Sequence, residues 1–107
     1  MVKPKLSSDL MVACEIYHFN INNQPIWYSK LVSQFEGKLS KLAVSHALDV
    51  LADWGISFGE YGCTENGRAG YCLYIYNFDG HGDDPTGEMI KELYEKYWRD
   101  EREEKTC

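Results

Sequence analysis

Apolar residues recur at helical spacing from Leu10 onward, where Leu10, Cys14, Tyr17 and Ile21 form one stripe. Met11, Val12, Ile16 and Phe19 occupy other faces of the same segment, so a helix from Ser7 or Ser8 to about Asn20 is apolar nearly all round. Such a helix must be buried, and in so short a chain a partner copy is expected to share in burying it. Ser7 or Ser8 caps it, with Asp9 favourably placed in the first turn. After the turn INNQP, a short helix is predicted from about Trp27 to Phe35, with Trp27, Leu31 and Phe35 on one face. Glu36-Gly37-Lys38 breaks it.

Ser40 then caps a third helix to about Trp54, and Gly55 marks its end. Within LSKLAVSHALDVLADWGI, Val44, Leu48 and Leu51 are spaced to anchor a rear face. Lys41, Leu42, Ser45, His46 and Asp49 remain on the front.

From Ile56 to Tyr76 the pattern alternates around Asn66-Gly67, a strong hairpin signal. A two-residue turn there sets Phe58 opposite Ile75 and Glu60 opposite Leu73. Ile56, Phe58, Tyr71, Leu73 and Ile75 then face the core, while Tyr74 and Tyr76 face outward. In that register Cys63 meets Gly70 and Cys72 meets Tyr61, which leaves the two thiols diagonal and unpaired. NFDGHGDDPTG is a connector, and a last helix begins at Pro85 or Thr86 and runs to about Glu104. The expected organisation is α+β and mainly α: a domain over 1–76, a Gly/Asp-rich connector over 77–87, and a C-terminal helix over 88–107. Met89, Ile90, Leu93, Tyr97 and Trp98 form an apolar stripe on that helix, expected to make an isologous homodimer.

Helix, helix, short turn, helix and hairpin follow one another in the order of a winged helix-turn-helix. Over residues 8–76 the chain resembles the winged-helix transcriptional regulators of the MarR, ArsR and PadR-like group, most closely in LSKLAVSHALDVLADWGI. The resemblance implies that the third helix enters the major groove of double-stranded DNA with the hairpin beside it. The residues it nominates for DNA are Lys38, Lys41, Leu42, Ser45, His46, Asp49 and, at the wing, Arg68. Lys30, Lys38, Lys41 and His46 are expected to gather near the start of that helix. The alternative function is a winged-helix protein-interaction module, since a fold does not fix a function.

Charge modifies this picture in one respect. The chain of 107 residues carries a net charge of −6, but residues 77–107 hold ten acidic and five basic groups, so most of the excess lies in the tail. The middle is near neutral and not hostile to phosphate. No run is apolar and long enough to span a membrane, and the N-terminus lacks the apolar stretch of a signal peptide, so a cytoplasmic location is expected. In a reducing compartment Cys14, Cys63, Cys72 and Cys107 are expected as free thiols. Cys14 with His18, and His81 with Asp79, Asp83 and Asp84, have metal-ligating chemistry but no complete ligand set, so no metal or cofactor is expected. No catalytic constellation can be assembled from the sequence, and an enzyme is not expected.

Overall fold

The computed structural model describes residues 6–63 and 67–104. It is α+β and mainly helical: α1 (Ser8–Ile21), α2 (Tyr28–Gln34), α3 (Lys41–Asp53), β1 (Ser57–Cys63), β2 (Ala69–Ile75) and a C-terminal helix. That last helix comprises α4 (Thr86–Leu93), one wider π turn (Tyr94–Trp98) and α5 (Arg99–Glu104). None of the described helices is long and apolar enough to cross a membrane.

Local chemistry sets the helix ends. Ser7 Oγ accepts from Leu10 N at 3.3 Å, and Ser40 Oγ accepts from Ala43 N at 3.1 Å, each satisfying a donor that the first turn leaves open. At the end of α3, Gly55 takes the left-handed conformation (φ +72°). Its N–H donates to Ala52 O at 3.1 Å, and Ile56 N–H donates to Leu51 O at 2.9 Å. Those two bonds form a Schellman stop, closed by buried Leu51 and Ile56, and they launch the chain directly into β1.

Helix α1 is the centre of the core. Every residue from Val12 to Tyr17 is buried, with α3, β2 and the C-terminal helix packed around it. Most of the apolar surface that suggested a partner copy is therefore covered by the chain itself, with Ile21 left 43% exposed. The C-terminal helix supplies part of that cover through Ile90, Tyr94 and Trp98, all buried. The π turn accommodates an extra residue, which keeps this four-residue spacing nearly in line on one face. Ile90 and Trp98, expected at a dimer interface, are core residues instead. Met89 is exposed, while Leu93 and Tyr97 are half-buried.

The hairpin register differs from the expected one by a residue. Ser57 pairs with Ile75, Phe58 with Tyr74, Glu60 with Cys72 and Cys63 with Ala69. The connection thus spans residues 64–68 rather than two residues. Asn66 lies outside the described residues, whereas Gly67 is left-handed (φ +76°). Since strand faces alternate with a period of two, the shift turns Phe58 outward with Tyr74 and brings Ser57 and Gly59 inward beside Leu73 and Ile75. Tyr71 keeps its inward parity but stands beyond the helices and is half exposed.

The other edge of β2 is not left open. Leu73 N–H donates to Ile26 O at 2.8 Å, and Trp27 forms a single antiparallel bridge with Cys72. Asn20, buried on α1, donates from Nδ2 to Leu73 O at 3.1 Å and accepts from Ile75 N–H at 2.9 Å. Its amide side chain does for β2 what a neighbouring strand would do.

The connector is also built rather than loose. Asn77 (φ +54°) donates from Nδ2 to the carbonyls of Gly82 at 3.1 Å and Asp84 at 2.7 Å, and accepts from Gly82 N–H at 2.8 Å. A Cβ on Gly87 would fall 1.8 Å from Asn77 O, so only glycine permits this approach.

Candidate nucleic-acid interface

The third helix is fastened by Val44, Ala47 and Leu51, all fully buried, while Leu48 is half-covered. Ala47 takes the central buried place expected of Leu48. On the opposite side Lys41, Leu42, His46 and Asp49 are exposed, and Ser45 lies at the boundary. Leu42 is 79% exposed, so it is presented and not part of the core. The structure thus brings five of the nominated residues onto one face.

Arg68 is exposed at the hairpin loop, immediately before β2. Strand β1 packs against α3, and of the α3 front Asp49 borders the hairpin, lining a groove with Phe58, Gly59 and Tyr71.

Lys38 departs from expectation. Its ammonium lies 3.1 Å from Glu101 Oε1 and 5.1 Å from the centroid of the Trp98 ring, turned toward the C-terminal helix. Lys30 is likewise held over the rings of Phe19 (5.1 Å) and Trp27 (4.9 Å), and donates to Pro25 O at 3.4 Å. The anticipated gathering of Lys30, Lys38, Lys41 and His46 does not form, because aromatic faces and a carboxylate draw two of the lysines elsewhere.

Three features went unforeseen. Tyr61 and Tyr71 make an edge-to-face pair at 5.2 Å between centroids near the hairpin end, with Tyr61 82% exposed. Trp54, at the C-terminal cap of α3, is 60% exposed. Glu15 is a buried carboxylate that receives the Trp98 indole N–H at 3.0 Å and the Gln34 amide at 2.9 Å. The tyrosines follow from the register; the partners of Glu15 come from elements distant in sequence and left no local signal.

Cys14 and His18 have structural occupations. Burial, with Glu15 adjacent, pushes the Cys14 thiol up to about 12, and His18 Nδ1 shares a 2.7 Å hydrogen bond with Tyr94 Oη. Cys72 is buried and free.

No family model, curated protein or solved structure gives a significant match to this chain. Its chemistry must be read from its own residues.

Proposed function

We propose that the chain is a winged-helix DNA-binding transcriptional regulator, related in kind to the MarR, ArsR and PadR-like group. The observation that carries this reading is the division of α3 into a rear buried through Val44, Ala47 and Leu51 and a front holding Lys41, Leu42, Ser45, His46 and Asp49. The topology supports it: three helices, an extended Ile26–Trp27 segment bonded to β2, and a hairpin beside the third helix. In this mode the front of α3 lies in the major groove, Lys41 contacts phosphate near its start, and Arg68 meets the backbone or minor groove from the hairpin. Ser45 and His46 are the polar groups available for base edges. The mode does not rest on a homodimer, because Ile90 and Trp98 are committed to the chain's own core.

Gel shift with mixed genomic duplex at low and moderate salt tests the proposal. A retarded band that fades as salt rises is expected, with log K falling by ~0.9 per phosphate contact. An unshifted duplex at low salt contradicts it.

Leu42 favours a second reading, a protein-interaction module, because a leucine 79% exposed at the centre of a presented face suits an apolar partner. Leu42→Lys separates the two. It adds a cation beside phosphate and should strengthen DNA binding, whereas it should abolish a protein contact centred on that side chain.

A further inference from the structure

Between α3 and the hairpin, reaching round its base to Phe58 and Tyr76, lies a groove of about 450 Å³. That volume falls within the range of small-molecule sites, roughly 300–1,000 Å³. Tyr28, Tyr71 and Tyr76 stand around it, Leu48 and Ala52 line its α3 side, and Asp49 contributes a carboxylate. Among the described residues lining the groove, Asp49 bears the single charge, and no lysine, arginine or histidine faces it.

The aromatic walls rest against neighbouring residues. The Tyr71 ring lies over Gly59, where a Cβ would come within 2.3 Å of it, and Tyr61 packs edge-on from the other side at 5.2 Å. Tyr76 rests against Phe58 at 4.5 Å between centroids. The Tyr28 hydroxyl reaches the Lys41 carbonyl at 3.5 Å. Gly59 thus has a function that the strand pattern alone does not supply: it makes room for a ring.

Aromatic faces carry negative quadrupolar potential and attract cations, most strongly where water is partly excluded. A carboxylate beside several such faces selects positive charge, and the apolar α3 side suits methyl groups rather than a compact hydrated ion. We propose that this groove binds a small quaternary or methylated ammonium compound, with Tyr28, Tyr71 and Tyr76 around the cationic head and Asp49 as its counter-charge. The site is independent of the DNA-binding reading and stands or falls without it.

Choline, with its uncharged isostere 3,3-dimethyl-1-butanol, is the appropriate probe pair, titrated into the full ¹⁵N-labelled chain and followed by amide shifts. Choline should shift residues around Tyr28, Asp49, Ala52 and Tyr71 saturably, and bind about three- to thirty-fold more tightly than the neutral alcohol. Asp49→Asn, a conservative change at an exposed position, should reduce choline affinity several-fold and leave the alcohol unaffected. No saturable shift with choline, equal affinity for the alcohol, or undiminished choline binding by Asp49→Asn would each overturn the proposal.

Discussion

The indole N–H of Trp98 donates to Glu15 Oε1 across 3.0 Å, joining two buried residues 83 positions apart. Phe35 stacks on one side of the indole at 5.8 Å, and the Lys38 ammonium lies 5.1 Å from its ring centroid. This junction fixes the C-terminal helix to α1 and α2. Trp98→Phe keeps most of the packing but withdraws a donor from a buried carboxylate, and should cost about 1–3 kcal/mol. Trp98→Ala should cost about 3–5 kcal/mol. Urea denaturation measures both; near-wild-type stability for Trp98→Ala would show that the helix does not depend on this residue.

Asn20 should be nearly as sensitive despite being a single polar side chain. Asn20→Ala strips Leu73 O and Ile75 N–H of their partners on the edge of β2. The expected loss is about 1–3 kcal/mol for each buried group left unsatisfied, although water entering at the edge lowers the total. Hydrogen exchange should quicken at Ile75 first. Unchanged protection there would mean that the sheet edge is held by something else.

Gly59→Ala should leave the fold intact while displacing one ring. The added methyl collides with the far end of the Tyr71 ring, which is half exposed and can swing into solvent. The Tyr71 ring resonances should shift strongly, and choline binding should weaken with them. A Gly59→Ala protein with unaltered Tyr71 shifts would contradict the placement of that ring.

Alkaline pH should destabilise the fold through Cys14. Its thiol ionises at about 12 in the folded chain, against an ordinary value of 9.0, because burial opposes the charge and Glu15 repels it. Below pH 9 the thiol is neutral in both states and its contribution is fully present. Between about 9 and 12 the unfolded chain releases a proton that the folded chain retains, so stability falls as pH rises. Burial also holds Tyr17 above its ordinary 10.0, which adds to the loss. Cys14→Ala should make the pH dependence of urea denaturation shallower in this window. An unchanged slope would assign the loss to other groups.

What could be read in the sequence was local. Ser7, Ser40 and Gly55 act through bonds within a few residues, so the ends of α1 and α3 were legible. The rear and front of α3 followed from spacing, apart from the exchange of Leu48 for Ala47 at its centre. The register was not legible, because Ser57-Phe58-Gly59-Glu60-Tyr61 offers one strongly apolar side chain and the Asn66-Gly67 signal pointed to too short a loop. The fate of Lys38 was hidden for a different reason. Its choice between the α3 front and the C-terminal helix depends on Trp98 and Glu101, which only the tertiary fold brings near. The dimer expectation counted the stripes of α1 and the C-terminal helix as separate surpluses, but the two pack on each other.

Salt dependence in two proteins tests the central claim most directly: affinity for duplex DNA across a salt series, for wild type and for the Lys41→Ala, Arg68→Ala double variant. Both side chains are exposed, so the variant should fold normally. If α3 and the hairpin grip phosphate, the variant binds more weakly across sequences, and its log–log salt slope is shallower by about 0.9 for each contact removed. Equal affinity and an equal slope in the two proteins would contradict DNA binding through this face.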